Sequence, residues 1–157
     1  MFNDGNDGFY VAWHDNRFSG TIATAWVQHV NSNGQLVFAA NGVEVSTQSN
    51  MNHFYPKIVK PLNDSNLYVI WREVNGNQNQ WGIFGQKFSS EGQRMWADTG
   101  KEIVAVSGAE VMPYLALPCD NNMMLVSTKE SNLQAALLNS NGRSEEHTSE
   151  LQSPNTI

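Results

Sequence analysis

The chain has 157 residues, a formal net charge of −6 and basic residues that are scattered along it. That sets nucleic acid aside as a partner, because phosphate binding needs clustered Lys and Arg. No run of about 18 apolar residues exists, so no membrane span is expected, and a lone Cys119 excludes an internal disulfide or a cysteine-built zinc site. At 40% hydrophobic with five Trp, the chain nevertheless carries enough apolar material for a sizeable core.

Asn3-Asp4-Gly5-Asn6-Asp7-Gly8 is a turn cluster. Asp-Gly before an apolar run favours a hairpin turn, and the spacing of Asp4 and Asp7 does not fit the alternating oxygen ligands of a calcium loop. Phe9 to His14 then reads as a strand with Phe9, Val11 and Trp13 on one face and Tyr10 and Ala12 on the other. Both faces are apolar, so the strand must be covered on both sides. A polar loop over Asn16 to Thr21 leads to a second strand holding Trp26, Gln28 and Val30 on one face, and Ser32-Asn33-Gly34 turns the chain. Phe38, the turn at Asn41-Gly42 and the short run Val43-Glu44-Val45 complete the unit.

The same landmarks then recur. Trp13 to Trp71, Gln28 to Gln86, Gly34 to Gly92 and Gly42 to Gly100 are each 58 residues apart, so one unit is written twice with its internal spacing unchanged. Leu67 to Arg72 repeats the first strand, Phe84, Gln86 and Phe88 the second, Trp96 the aromatic, and Lys101 to Val106 a final, outer strand. Tyr55-Pro56 and, 57 residues after that proline, Pro113-Tyr114 each open a further strand. The proline predicts a position at a sheet edge, where the missing N–H costs nothing. A third, worn copy begins at Asp120, with Ser127 in place of the Trp, and Gln134, Ala136 and Leu138 ahead of Ser140-Asn141-Gly142. Four short strands per unit and no amphipathic helix anywhere leave sheet to cover sheet.

Trp13-His14-Asp15-Asn16-Arg17, together with Gln28, Gly34, Asn41-Gly42-Val43, Gln86, Gly92, Trp96 and Gly100, resembles the tryptophan-bearing β-propeller repeats of large secreted or surface proteins of bacteria. In those repeats a hydrophobic strand ends in Trp-x-Asp-x-Arg, a later strand carries an aromatic and a Gln, and a Gly turn, a Trp and a Gly-Val segment follow. The likeness covers about residues 7 to 142. Trp71-Arg72-Glu73-Val74-Asn75 keeps only the Trp and an acid. The resemblance implies an all-β, incomplete β-propeller of four-stranded antiparallel blades. Residues 1–47 then supply the last three strands of one blade, 48–106 a complete blade and 107–142 the first three strands of another.

Propellers close with four to eight blades, so the fragment is expected to leave apolar sheet faces uncovered and to self-associate or unfold. Residues 143–157 fall outside this scheme. Arg143 to Ser153 resembles the translation of a sequencing-library adapter, and the segment is expected to be a non-native tail whose removal leaves melting unchanged; read as protein, it is a short polar helix capped by Ser144.

The repeated Trp, Gln and Gly residues are expected to pack and to hydrogen-bond, with Asp15 and Arg17, two apart on a strand end, forming an ion pair. Trp81 is the best candidate for an exposed, ligand-contacting aromatic. The function that follows is a non-catalytic scaffold or a protein- or glycan-binding module, extracellular or on the cell surface, with neighbouring blades of the same protein as its partners and neither metal nor cofactor. The alternative is a piece of a propeller glycosidase or lyase, in which Asp15 and Glu73 would converge as paired carboxylates. No sialidase-type Ser-x-Asp-x-Gly-x-Thr-Trp box and no serine in a nucleophile elbow supports it.

Overall fold

The computed structural model describes residues 1–18 and 20–150. Among them there are twelve strands and no helix: β1 (Phe2–Asn3), β2 (Phe9–Asp15), β3 (Thr24–Val30), β4 (Val43–Glu44), β5 (Met51–Val59), β6 (Leu67–Asn75), β7 (Trp81–Phe88), β8 (Lys101–Ser107), β9 (Val111–Cys119), β10 (Asn122–Lys129), β11 (Asn132–Leu138) and β12 (Ser144–Glu150). They form three antiparallel sheets, ordered β1-β2-β3-β4, β5-β6-β7-β8 and β9-β10-β11-β12. Every ladder joins strands consecutive in sequence, the topology that short turns favour.

The three sheets are built in one register. Val11 pairs with Gln28, Val69 with Gln86 and Leu125 with Ala136; one pleat further on, Trp13 pairs with Trp26, Trp71 with Phe84 and Ser127 with Gln134. Because side chains alternate across a strand, equal register puts each landmark on the same face of its sheet. The proline strands β5 and β9 lie at sheet edges. Both carry a bulge at the proline, and in β5 the preceding Tyr55 takes a φ of 53°.

Each outer sheet has a strand beyond the three that the sequence pattern delineates. Phe2–Asn3 adds to the first through Phe2↔Tyr10 and Asn3↔Phe9, a pairing too short to leave an alternation in the sequence. Ser144–Glu150 adds to the third, with Leu138↔Ser144 and Gln134↔Glu150. The polar helix capped by Ser144 is therefore not what this segment forms: β11 offers it an open edge, and an unpaired edge is a template for a further strand. Residues 151–157, the rest of the expected tail, lie outside the described residues.

Two apolar layers hold the sheets together. Tyr10, Ala25 and Val27 of the first sheet pack on Leu67, Val69, Trp71 and Phe88 of the second. Tyr68, Ile70 and Ile83 on the other side of the second sheet pack on Met123, Leu125 and Leu138 of the third. Strand β6 is thus enclosed on both faces and buried from Leu67 to Val74, which accounts for its unbroken hydrophobic run. Sheet stacking of this kind draws its stabilisation from apolar area removed from water, about 25 cal/mol per Å².

Candidate functional site

The repeated residues meet in two kinds of cluster. In the first, Gln28 Nε2 donates to the carbonyl of Ala39 at 2.7 Å while its Oε1 accepts from the amides of His29 at 2.9 Å and Phe38 at 3.0 Å. Gln86 repeats the pattern, donating to Ala97 at 2.8 Å and accepting from Lys87 and Trp96, each at 3.0 Å. Both glutamines are buried. Each ties its strand to the chain returning ten residues later, where a backbone without a ladder partner needs one. In the third sheet Ala136 holds this place and makes no such link.

The second kind of cluster lies at the strand ends. Trp13 Nε1 donates to Asp15 Oδ2 at 2.9 Å, and Trp71 Nε1 donates to Glu73 Oε2 at 2.6 Å. The benzo edge of each indole lies against a landmark glycine. A β-carbon on Gly42 would come within 2.7 Å of the Trp13 ring, and one on Gly100 within 2.6 Å of Trp71. Both glycines also have φ near 85°, so spacing and conformation alike demand the absence of a side chain there.

The two tryptophan clusters then diverge. Arg17 Nη2 reaches Asp15 Oδ2 at 2.5 Å, its Nε reaches both carboxylate oxygens, and Nη1 donates to the carbonyl of Asn41 at 3.0 Å. The guanidinium lies 4.5 Å from the Trp26 ring centroid and 5.6 Å from that of Trp13. Hydrogen bonds from Arg17 lower the Asp15 carboxyl to about 2, with the Arg17 amide and the Trp13 indole assisting. A depression of about 330 Å³ opens beside this group, lined by Val11, Trp13, Arg17, Gln28, Leu36 and Gly42 among others. Phe18, highly exposed, stands edge-on to Trp26 at 5.3 Å.

In the second copy Asn75 takes the place of Arg17 and turns back on its own loop, accepting from the amides of Asn79 and Gln80. Glu73 is buried, with His53 Nε2 at 3.5 Å from Oε2 and the His53 ring edge-on to Trp71 at 5.8 Å. A cavity of about 170 Å³ touches Glu73, Met51, Phe84 and Thr99. In the third copy Ser127 is buried where Trp13 and Trp71 stand, and Lys129 occupies the position of the acid.

Trp81 opens β7 and is half-buried, packed on the second apolar layer under Arg72, whose guanidinium sits 5.7 Å from its ring. Arg72 in turn binds Glu110 at 2.6 Å. The aromatics most open to solvent are instead Phe18, Tyr55 and Tyr114. Phe18 stands in a polar loop, where the sequence offers no periodic signal to mark it, and Tyr114 sits at the bulge of β9, where strand alternation is interrupted.

Sequence reasoning also passed over the residue that opens each turn. Asn31, Ser89 and Asn139 use a side-chain oxygen to accept amides two and four residues on, at 3.0 to 3.3 Å or, for Arg143, 3.2 Å. Three occurrences immediately before Ser-x-Gly were the available signal. Asp4 does similar work in the first turn, accepting from Asn6 and Gly8 and meeting His29 Nε2 at 2.8 Å. The bond from His29 is the largest of the influences that lower its carboxyl.

Among the described residues no group of three or more His, Cys, Asp or Glu is placed to hold a metal ion, and no helix is long and apolar enough to cross a membrane. Comparison with protein-family models, curated proteins and solved structures finds no match to this chain.

Proposed function

We propose that the chain is a non-catalytic segment of a β-propeller, with each four-stranded sheet a blade, and that it serves a secreted or cell-surface bacterial protein as scaffold or as a protein- or glycan-binding module. The observation that carries this reading is the use to which the repeated polar groups are put. Gln28 and Gln86 are consumed by backbone bonds, and Asp15 and Glu73 by the indoles two residues before them. Catalytic groups need a free lone pair or a proton to give at the working pH. Asp15, held ionised by Arg17, has none to give near neutrality, and Glu73 is enclosed between Trp71 and His53. Paired carboxylates of a glycosidase face a common cleft instead.

A ligand surface, on this reading, belongs to the loop after β2, where Phe18 stands exposed beside Trp26 and Asp15 holds the Arg17 guanidinium. An exposed aromatic beside a fixed guanidinium suits a flat, hydroxyl-bearing ligand or a peptide with an aromatic or acidic group. Glycan-array and peptide-array binding of the whole chain tests it, with Phe18→Ala and Trp81→Ala in parallel. Binding that disappears with Phe18→Ala and survives Trp81→Ala is the expected result. Release of free sugar from an array oligosaccharide would replace this reading with the glycosidase one.

A further inference from the structure

The acid of the Trp-x-acid triplet has an arginine partner in the first unit and none in the second. Asp15 and Glu73, Arg17 and Asn75, Trp26 and Phe84, and Asn41 and Thr99 each stand 58 residues apart. The strand register agrees, since Trp13 pairs with Trp26 and Trp71 with Phe84. In the first unit the Arg17 guanidinium occupies the space that these residues define. It binds the Asp15 carboxylate, donates from Nη1 to the Asn41 carbonyl at 3.0 Å and lies 4.5 Å from the Trp26 ring centroid.

In the second unit Asn75 bends back on its own loop, and a cavity of about 170 Å³ is lined by Glu73, Phe84 and Thr99, the counterparts of Asp15, Trp26 and Asn41. Gln48, Met51 and Val106 complete its wall. Glu73 is 1% exposed, and among the described residues no lysine or arginine pairs with it. Trp71 and His53 both approach its Oε2, while Oε1 accepts no hydrogen bond among the described residues. The Thr99 carbonyl accepts from Ser46 Oγ at 2.9 Å and keeps its second lone pair. A buried carboxylate is costly unless paired, and this one borders a space whose twin holds a guanidinium.

We propose that this cavity is a binding site for a guanidinium group brought by another molecule, which takes the place that Arg17 takes in the first unit. Glu73 Oε1 accepts one of its N–H groups, the Thr99 carbonyl accepts another, and the Phe84 ring packs against the cation. A guanidinium suits the site better than an ammonium, because it is planar, donates as a fork and gives up its water more readily. The site follows from the repeat register alone and is independent of the surface beside Phe18.

Titration of the whole chain with methylguanidinium chloride at constant ionic strength, followed through the tryptophan indole N–H signals in NMR, tests the proposal. Trp71 reports on the site because its indole donates to Glu73. Saturable binding with a Kd of about 1 mM or below is expected, within reach of a ligand of this size. Methylammonium, of the same charge, should bind at least about tenfold more weakly. Glu73→Gln removes the charge and keeps the shape of the side chain, and Asn75→Arg returns an arginine to the position that Arg17 holds. Each is expected to weaken binding at least about tenfold. Amide spectra establish that each variant is folded, and either one decides alone if the other is not. N-acetylarginine amide that binds as methylguanidinium does assigns the group to a peptide arginine, and its failure to bind assigns it to a small molecule. No saturation in the wild type, equal binding of methylammonium, or unchanged binding in a folded variant would each overturn the site.

Discussion

The carboxylate of Glu73 accepts the indole N–H of Trp71 at 2.6 Å, and Asp15 accepts that of Trp13 at 2.9 Å, so a Trp-x-acid triplet is one hydrogen-bonded unit used twice. The unit is half-buried in the first sheet and sealed in the second, where Trp71 is fully buried. A buried N–H deprived of its acceptor costs about 1–3 kcal/mol. Glu73→Leu is therefore expected to lower stability by that amount in chemical denaturation. Glu73→Gln, which keeps an acceptor oxygen, should lose less.

Gln86 satisfies three backbone groups at once from a fully buried position. Gln86→Leu strands two amides and a carbonyl, so a loss of at least about 2 kcal/mol is expected, given a penalty of about 1–3 kcal/mol for each buried group left unpaired. Gln86→Glu keeps the acceptor and loses the donor, and should fall between. Urea titrations at constant slope would check the order; a neutral Gln86→Leu would show that the two segments are held together by packing alone.

Gly34 and Gly92 take the same positive φ, 76° and 84°, at the same place in the turn, but only Gly92 lies under an aromatic ring. Alanine at either meets the left-handed penalty of about 1–2 kcal/mol. At Gly92 the new methyl also collides with Phe38, adding about 1–3 kcal/mol of overpacking. Gly92→Ala should thus be clearly more destabilising than Gly34→Ala, as read by paired thermal melts. Equal effects would mean that Phe38 moves aside freely.

Asp15 has its carboxyl lowered to about 2 by Arg17, against an ordinary value of about 3.9. A depressed acid contributes stability that is complete above its unfolded value and is lost as pH falls through the folded one. The Asp15–Arg17 contribution should therefore be present at neutral pH and fade between about pH 4 and pH 2. With both side chains 30% exposed, its size is expected to be about 0.5–1 kcal/mol. Asp15→Asn should lower stability at pH 7 by that amount and flatten this part of the acid limb; an unchanged acid profile would show that the pair contributes nothing.

Asp15 and Arg17 were legible in the sequence because residues two apart on a strand end share a side, and the same pleat made the equivalence of Val11 and Val69 readable from spacing alone. Gln28 and Gln86 announced a structural role by their recurrence, though not the carbonyls that they bind. Trp81 is less open than its polar neighbourhood in sequence suggests: it is half-buried, with Arg72 over its ring and one side on the second apolar layer. The fourth strand at each end was invisible, since an edge recruits partners through backbone groups that every sequence carries.

The sequence by itself determined that the chain is all-β, built of repeated units in a common register with two apolar faces, because strand period and turn chemistry are local properties written into neighbouring residues. Only the tertiary structure decided that Glu73 faces His53 and that Arg72 reaches Glu110. Those relations join residues on different strands or different sheets, and side-chain spacing along one strand carries no information about what the adjoining layer brings against it.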